Sequence, residues 1–532
     1  MFDEYYDAKL HKKANPELRF IERVKKNLSD SDCKHIHIIG VCGTAMGTFA
    51  LMLRDKGFHV SGSDVSFWPP MGPLLQSSGV EILEGWSADH ISDAVNLVVV
   101  GNACGPTHIE VIAAIEKKKP LMSMPEIMGD FFVNGNSGIE NNNTRESLVV
   151  AGTHGKTTTS GLLAYTLSAI DCDPTYLIGG VMQTPISKDG LKGKEGTSHH
   201  VGNGKYVVFE GDEYDTSFFD ARPKFLHYHP SYSIITSVEW DHVDIYESIE
   251  EYTKAFEHLI EVTKKGLVVS NTYPLLNKLI GDAKKNGKIQ ANVLVYGIDG
   301  DVDLKPIFKE TTPIGQKFEL IFKGESFGEY ITPMFGEYNV LNTVAVLGLM
   351  HQAGIDIREQ KVRDAIASFP GMKRRQEVVA EITGENNGRE SSENITIIDD
   401  FAHHPTAVAE TLKGIHIRYP GRRIVALFEP RSSTSRRKTF EHTYPHALAG
   451  ADIVGIKIPP YKAEVDAGKD LLDPEIVKKE TEALGKKVLL AETTVELVDM
   501  FINEIQDGDV IVVMSNGAFD GIHNMLAEKL GK

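Results

Sequence analysis

The sequence predicts an α/β fold that is divided into three domains. With 532 residues, the chain is too long for one compact hydrophobic core, and about three domains are expected for this length. Short apolar runs typical of buried strands alternate with glycine loops and helical segments, the order that produces doubly wound parallel sheets. We place the domains at residues 1–145, with a polar leader over 1–33, at 146–372 and at 373–532.

The first domain opens with an apolar strand over 35–39 that runs into a glycine loop and then a helix. A second strand ends at Asp64, about twenty residues beyond that loop, where dinucleotide-type folds place a ribose-binding carboxylate. The strand over 97–100 ends at the same carboxyl edge of the predicted sheet. This spacing suits a nucleotide diphosphate, although a close-packed turn without a ligand explains the glycines equally well. The candidate binding residues are Gly40, Gly43, Thr44, Gly47, Asp64 and Asn102.

A second glycine loop follows the apolar strand that begins the central domain. Its backbone N–H groups and the next helix N-terminus would face one anion, Lys156 would reach the β- and γ-phosphates, and Thr157 would offer an oxygen to Mg²⁺. Val150 stands where the longer phosphate-loop pattern has its first glycine, and an ordinary glycine-rich turn is the less favoured alternative. We expect Lys156 to be an exposed loop charge that contributes little to stability. The candidate ATP-binding residues of this loop are Gly152, Thr153, His154, Gly155, Lys156, Thr157 and Thr158.

Two further strands of the central domain, over 206–209 and 232–238, end next to residues that can bind a metal ion. Glu210 follows the first strand, beside the phosphate loop, where the Mg²⁺ of a bound nucleotide is usually held. His242 follows the second strand, but Mg²⁺ prefers oxygen ligands, so Glu210 is the better candidate. From spacing alone, a hydrogen-bonded structural role is favoured for His242.

The third domain resumes the alternation of strands and helices and carries polar residues after its strands. His403 and His404 lie on a loop, and since no second pair of ligands stands at metal-site spacing, a positioning role is favoured over a metal site. Arg431 follows an apolar strand, and its guanidinium can bind a peptide carboxylate through two hydrogen bonds. An ion pair with Glu429 or with a neighbouring acid explains this arginine equally well. The candidate residues for the amine substrate are His403, Arg431, Ser432 and Arg436.

The composition excludes several classes of protein. A formal net charge of −18 argues against a broad nucleic-acid-binding surface, so an anionic substrate must be held by local donors. No stretch is long and apolar enough to span a bilayer, and four cysteines without C-x-x-C spacing predict neither a disulfide framework nor a structural zinc site. The first residues lack the charged and apolar regions of a signal peptide, so we expect a cytoplasmic protein. We also expect small-molecule substrates, and a monomer or weak homo-oligomer.

These motifs, in this order, resemble those of the Mur ligases, the ATP-dependent amide-forming enzymes of peptidoglycan precursor metabolism. The phosphate loop over 152–157, the glycine loop over 40–47 and the pair Asp399–Asp400 all match the family pattern. The resemblance implies a Rossmann-like N-terminal domain for the UDP substrate, a P-loop ATPase-like central domain and a Rossmann-like C-terminal domain for the amine substrate. The family usually has a histidine where this chain has Tyr338, which leaves the surroundings of the adenine undefined.

The resemblance also implies roles for individual residues, with ATP and Mg²⁺ as cofactors. Lys156, Glu210 and His242 would be catalytic. Thr157 and Glu210 would hold one Mg²⁺, and His242 would hold a second. The other implied ATP-binding residues are Asn339 and Asn342 at the adenine, and Arg374 and Asp399 from the C-terminal domain.

Three segments give the resemblance more detail. Residues 218–225, 429–434 and 515–523 are most similar to family members that join UDP-N-acetylmuramate to the tripeptide L-alanyl-γ-D-glutamyl-meso-diaminopimelate during cell-wall recycling. These relatives imply a bacterial source and two small-molecule substrates. The alternatives are a ligase that adds L-alanine to the same nucleotide sugar and a catalytically silent nucleotide-binding protein.

Overall fold

The structure, a computed structural model, describes residues 5–6, 33–67, 71–134, 145–183, 197–241, 246, 248–382 and 394–531. The described strands form a five-stranded, a ten-stranded and a six-stranded sheet, together with a two-stranded hairpin. Helices connect and cover these sheets, which confirms the predicted α/β architecture. No helix among these residues is long and apolar enough to cross a membrane.

The N-terminal sheet consists of β1 (His35–Ile39), β2 (His59–Asp64), β3 (Glu81–Glu84), β4 (Leu97–Val100) and β5 (Leu121–Met122). These strands are parallel and follow the spatial order β3-β2-β1-β4-β5. All residues of β4 are buried, as expected of a parallel strand with helices on both faces. The order reverses between β1 and β4, and folds of this kind bind ligands in the crevice at such carboxyl ends. The helices are α1 (Thr44–Asp55), α2 (Met71–Ser78), α3 (Ile109–Glu116) and α4 (Met124–Ile127).

The central domain contains a large mixed sheet and a short hairpin. Its strands are β6 (Glu146–Ala151), β7 (Thr175–Leu177), β8 (His199–His200), β9 (Tyr206–Gly211), β10 (Asp215–Ser217), β11 (Asp220–Pro223), β12 (Tyr232–Ile235), β13 (Gly266–Ser270), β14 (Asn292–Tyr296), β15 (Leu304–Thr312), β16 (Gly315–Phe322) and β17 (Glu325–Thr332). β10 and β11 form the hairpin, and the others follow the order β17-β16-β15-β14-β13-β12-β6-β9-β7-β8. Because Ala151 of β6 pairs with Gly211 of β9 and Ile235 of β12, three carboxyl ends meet at one edge.

The helices of the central domain enclose that sheet. They are α5 (Lys156–Ala169), α6 (Ile249–Val262), α7 (Pro274–Lys285), α8 (Glu337–Gln352) and α9 (Gln360–Ala367). α5 follows β6 directly, and its residues from Lys156 to Ala164 are all buried. The first turn of this helix is therefore fixed against the sheet edge where the three strands end.

The C-terminal sheet consists of β18 (Glu377–Ile382), β19 (Ile395–Asp400), β20 (Ile424–Phe428), β21 (Ile453–Lys457), β22 (Lys487–Ala491) and β23 (Val510–Met514). Its order is β18-β19-β23-β20-β21-β22, and only β18 among these strands is antiparallel to its neighbour. Two buried apolar clusters cover its two faces, as the sequence predicts for a doubly wound sheet. The helices are α10 (Pro405–Arg418), α11 (Tyr444–Leu448), α12 (Ala463–Asp466), α13 (Pro474–Ala483), α14 (Thr494–Ile502) and α15 (Ile522–Leu530).

The domains contact one another through polar and apolar side chains. The hydroxyl oxygens of Thr48 in α1 and Ser198 next to β8 lie 3.3 Å apart. Phe218 and Phe219 of the β10–β11 hairpin pack against the N-terminal domain. The central and C-terminal domains face each other across the carboxyl edge of β6, where the predicted nucleotide site lies.

Candidate active site

The predicted phosphate loop lies between β6 and α5, next to the end of β12. Gly152 has φ +134°, and a Cβ atom at this position would lie 2.2 Å from the Thr236 hydroxyl oxygen. Gly155 has φ +81° and caps the N-terminus of α5. The backbone N–H of His154 donates to the Ser237 hydroxyl oxygen at 2.8 Å. The shape of the loop therefore requires both glycines, and the loop is tied to the neighbouring strand.

Lys156 is buried in this loop and paired with an acidic residue. Its Nζ donates to the Gly152 carbonyl oxygen at 2.7 Å and to Glu213 Oε2 at 2.9 Å, and its side chain is only 10% exposed. The expectation of an exposed loop charge is therefore wrong. Burial alone lowers the pKa of Lys156, but the charges of Glu213 and Asp212 outweigh it and raise that pKa. The sequence does not single out Glu213, because the acidic run 210–215 does not reveal which carboxylate faces inward.

Thr157 and Glu210 lie together, as expected of a pair of oxygen ligands. The Thr157 hydroxyl donates to Glu210 Oε1 at 2.7 Å, and the Gly179 backbone N–H donates to Oε2 at 2.7 Å. Burial, followed by the negative charge of Asp212, raises the pKa of Glu210. Hydroxyl and carboxylate oxygens are ligands that Mg²⁺ prefers, so the pair fits a nucleotide-bound magnesium ion. His242, the predicted second metal ligand, lies outside the described residues.

A polar group joins the phosphate loop to the C-terminal domain. Glu239 accepts through three oxygens: Oε2 lies 2.8 Å from His154 Nε2, Oε1 accepts from the Thr406 hydroxyl at 3.3 Å, and its carbonyl accepts from the Thr153 hydroxyl at 3.0 Å. The rings of His154 and His404 lie 4.7 Å apart. Burial, followed by the charge of His154, lowers the pKa of His404 to about 3. Neutral His404 also caps α10 by accepting from the Thr406 backbone N–H, which is consistent with a positioning role.

A cavity of about 360 Å³ lies between the central and C-terminal domains, beside the phosphate loop. Asn342 packs against the loop, since a Cβ atom on Gly155 would lie 2.9 Å from Asn342 Oδ1. Asn339 donates to a backbone carbonyl oxygen at 2.8 Å, and the Tyr338 hydroxyl accepts from Gln376 Nε2 at 2.8 Å. Aromatic and polar walls of this kind suit a nucleotide base and its ribose. The walls include His154, Gly155, Thr158, Asn339, Arg375 and Asp400.

Two arginines at the start of the C-terminal domain point to different neighbours. Arg374 Nε lies 3.2 Å from Asp399 Oδ2, and Arg374 Nη2 donates to two carbonyl oxygens after β23, at 2.7 and 2.6 Å. Arg375 lines the cavity and donates to the Thr157 hydroxyl oxygen at 3.4 Å. Asp400 lines the cavity as well. The predicted nucleotide contacts Arg374 and Asp399 thus bind each other, whereas their neighbours in sequence face the cavity.

The predicted UDP site is built around the loop between β1 and α1. Gly40 has φ +79°, and the backbone N–H of Cys42 donates to Asp64 Oδ2 at 2.9 Å. The Asp64 carboxylate therefore holds the glycine loop in shape. A Cβ atom on Gly47 would lie 2.3 Å from the terminal carbon of Met71, so this glycine permits close packing of α1 on α2. The remaining predicted residues, Gly43, Thr44 and Asn102, are exposed at the carboxyl edge of the sheet.

Arg431 lies exposed at the carboxyl edge of the C-terminal sheet. It packs against the loop after β23, where a Cβ atom on Gly517 would lie 2.5 Å from Arg431 Cδ. The alternative partner, Glu429, accepts from Lys457 Nζ at 3.1 Å and from the Ser515 hydroxyl at 2.6 Å. Glu429 therefore has other partners, whereas Arg431 lies near enough to Asp520 for its charge to act on that carboxyl group. Contact of Arg431 with a substrate carboxylate stays a prediction.

The other residues predicted for the amine substrate support their own loops. Arg436 is buried, forms an ion pair with Asp466 and donates to a carbonyl oxygen at 2.6 Å. The Ser432 hydroxyl donates to Ser435 Oγ at 2.9 Å. His403 Nδ1 lies 3.0 Å from the carbonyl oxygen two residues earlier in the chain. Direct contact of these three residues with a substrate stays a prediction.

Comparisons with known proteins agree with this arrangement. Residues 35–134 match the model of the Mur ligase family catalytic domain, 150–350 the Mur ligase middle domain, and 374–517 the Mur ligase glutamate ligase domain. The chain is 33% identical over 499 residues to the UDP-N-acetylmuramate–L-alanyl-γ-D-glutamyl-meso-2,6-diaminoheptandioate ligase of Escherichia coli (strain K12), covering 93% of this chain and 98% of that protein.

Two further relatives bear on the choice between amine substrates. A UDP-N-acetylmuramate–L-alanine ligase of Lactobacillus delbrueckii subsp. bulgaricus is 31% identical, over 94% of this chain and 99% of that protein. The chain also resembles the crystal structure of a murein peptide ligase from Psychrobacter arcticus 273-4, with a TM-score of 0.64 and 29% sequence identity. The match covers 94% of this chain and 99% of that one.

Proposed function

This chain belongs to the Mur ligase family, and we propose that it joins UDP-N-acetylmuramate to the tripeptide L-alanyl-γ-D-glutamyl-meso-diaminopimelate in an ATP-dependent reaction. The observation that carries this proposal is the 33% identity, over 93% of the chain, to a ligase of that name. A phosphate loop, a pair of oxygen ligands for Mg²⁺ and a cavity between domains support the same conclusion. The reaction would serve the recycling of cell-wall peptide.

The chemistry explains why ATP is needed. A carboxylate does not react with an amine at neutral pH, because its carbon is a poor electrophile and oxide is a poor leaving group. Phosphorylation by ATP turns the muramyl carboxylate into an acyl phosphate. The free amine of the peptide attacks that carbon, and phosphate leaves through a tetrahedral intermediate. Catalysis then consists of holding the reactants in place and neutralising the negative charge on the transferred phosphoryl group.

Lys156 is placed to neutralise that charge. An ammonium group has three N–H donors, and those of Lys156 face the Gly152 carbonyl oxygen and both carboxylate oxygens of Glu213. A bound phosphate oxygen would therefore take the place of one of these acceptors, most easily the longer contact with Glu213 Oε1 at 3.2 Å, while Glu213 Oε2 keeps the side chain charged and in place. Thr157 and Glu210 would hold the Mg²⁺ that shields the phosphates.

The contacts between the central and C-terminal domains would exclude water. An acyl phosphate hydrolyses readily, so the site must be closed when it forms. Arg375 donates to Thr157, and Glu239 binds both His154 and Thr406. These contacts bring the second domain over the phosphate loop.

The amine substrate separates the two candidate ligases. Arg431 would bind a carboxylate of the tripeptide, and its exposure beside Gly517 leaves the guanidinium open to a partner. Addition of free L-alanine is the second candidate, because a ligase of that name is 31% identical over 94% of the chain.

An acceptor panel tests the proposal. With UDP-N-acetylmuramate and ATP fixed, ADP release is measured with the tripeptide, with free L-alanine and without an amine. We expect the tripeptide to be turned over at least about tenfold faster, a difference of about 1.4 kcal/mol in the activation barrier. Faster turnover of L-alanine would favour the second candidate. A protein that releases no ADP in any of the three mixtures would support the catalytically silent alternative.

We expect the enzyme to act in the cytoplasm as a monomer or weak homo-oligomer. Light scattering on the purified protein measures the mass of the particle and tests the second expectation.

A further inference from the structure

Two histidines and a glutamate lie side by side at the amino ends of three neighbouring strands in the N-terminal domain. In the parallel register His35 of β1 pairs with His59 of β2, and Ser61 of β2 pairs with Glu81 of β3. Since side chains two residues apart share a face of a strand, His35, His59 and Glu81 project from the same face. One potential ligand atom from each lies within 4.8 Å of the other two. The imidazole centroids are 4.0 Å apart, and His59 Nε2 is 3.1 Å from Glu81 Oε2.

A chain of hydrogen bonds determines which nitrogen of His35 carries a proton. Ser63 donates to the buried Glu110 Oε2 at 2.5 Å, so Ser63 Oγ accepts from His37 Nε2 at 3.3 Å. With His37 as a neutral imidazole, its Nδ1 accepts from the Ser61 hydroxyl at 2.9 Å, and Ser61 Oγ accepts from His35 Nε2 at 2.8 Å. Nδ1 of neutral His35 is consequently left with its lone pair.

The pKa shifts at the two ends of this hydrogen-bond chain agree with donation from His35 toward Glu110. Burial raises the pKa of Glu110, but hydrogen bonds led by those from His37 and Ser63 outweigh it and lower that pKa to about 2. Glu110 is therefore a fixed negative charge at the end of the chain. Burial, followed by the charge of His59, lowers the pKa of His35 to about 4.

We propose that His35, His59 and Glu81 bind a transition-metal dication of the zinc class. Two imidazoles and one carboxylate are the ligand set that suits Zn²⁺ and disfavours Mg²⁺. The side chains of His59 and Glu81 are 55% and 51% exposed, so an ion can enter from solvent and keep a water ligand. The relay from His35 through Ser61 supplies the second-layer hydrogen bond that metal-binding histidines commonly make.

The position of this site predicts what the ion would do. β1 extends from His35 to Ile39, just before the glycine loop, and five residues of strand span on the order of 16 Å. An ion at His35 would not touch the UDP substrate. It would link three strands that are distant in sequence and so stabilise the N-terminal domain by binding the folded state alone. The inference does not depend on the proposed ligase function.

Zinc binding to the full-length, chelator-treated protein tests the site. Calorimetric titration with ZnCl₂ in excess Mg²⁺ is compared for wild type, His59→Ala and Glu81→Gln. We expect wild type to bind Zn²⁺ and each variant to lose at least about tenfold in affinity, since even outer-layer partners are worth about 10–100-fold. Ser61→Ala, which removes only the relay, should lose less than His59→Ala.

His442→Ala is the matched control, because His442 is an exposed histidine paired with a glutamate but without a second imidazole partner in the described residues. It should bind zinc like wild type. Saturating Zn²⁺ should raise the melting temperature of wild type and of this control, but not that of His59→Ala. Equal zinc affinity in wild type and His59→Ala would overturn the proposal, as would the absence of binding to wild type. Retained ligation by zinc-free His59→Ala would show that the variant is folded.

Discussion

Lys156→Ala should destabilise the protein as well as abolish ligation. The substitution removes the cation 2.9 Å from Glu213, whose side chain has 0% exposure. Removing one member of a buried ion pair typically costs about 3–5 kcal/mol, whereas an exposed pair is worth about 0–1 kcal/mol. In a domain of about 150–250 residues, each kcal/mol lowers the melting temperature by about 2–4 °C, so we expect a decrease of about 6–20 °C.

Thermal unfolding of four proteins tests this reasoning. Besides wild type and Lys156→Ala, the set includes Lys156→Ala/Glu213→Ala and the control Lys265→Ala. The double variant should recover part of the loss, because no buried carboxylate is left without its lysine. Lys265 is 52% exposed and pairs with Glu146 in the same domain, so its removal should cost less than about 1 kcal/mol.

Two results would refute the assignment of Lys156. If Lys156→Ala had the same melting temperature as the control Lys265→Ala, the ion pair between Lys156 and Glu213 would contribute nothing to stability. Turnover above about a tenth of wild type would exclude a large role in phosphoryl transfer, since that loss corresponds to only about 1.4 kcal/mol.

Three further predictions concern the metal, the UDP substrate and the amine. Glu210→Ala should raise the Mg²⁺ concentration needed for half-maximal ligation, and His242→Ala should do so if it holds a second ion; a titration curve that overlays wild type would make that residue structural. Asp64→Ala should raise KM for UDP-N-acetylmuramate more than KM for ATP, because its carboxylate fixes the glycine loop through Cys42; a selective increase for ATP would mean that the two nucleotide sites are exchanged. Arg431→Ala should lose roughly 2–5 kcal/mol of kcat/KM for the tripeptide, and an equal loss in the exposed control Arg358→Ala would contradict a specific contact.

Local sequence patterns account for much of the fold. The apolar run of β6 and the glycines at 152 and 155 predict a strand and a phosphate loop, because both depend on residues adjacent in sequence. β15–β17 carry no comparable signal, since their outer residues are exposed and irregularly spaced. Their antiparallel extension of the central sheet is set by long-range pairing that a single segment does not encode.

The candidate site was predicted less completely for a related reason. Glu210 lies at the carboxyl end of β9, and Thr157 lies in α5, just after the neighbouring parallel strand β6, so topology alone brings them together. Glu213 and Glu239 act through contacts with Lys156 and His154 that lie far away in sequence. Burial of a carboxylate beside a specific cation depends on the tertiary structure. The same run of acidic residues could equally form an exposed loop, so the sequence does not distinguish the two.

The junction between the central and C-terminal domains shows why adjacent residues differ in role. Arg374 has φ +59° and Gln376 has φ +48°, left-handed conformations that cost non-glycine residues about 1–2 kcal/mol each. Such a backbone persists only where its surroundings hold it, and Arg374 is bound to Asp399 and to carbonyl oxygens after β23. This reversal of the chain points Arg374 into the C-terminal sheet and Arg375 across the cavity to Thr157. The strained turn at residues 374–376 therefore anchors one arginine in the C-terminal domain and directs the next arginine to the phosphate loop of the central domain.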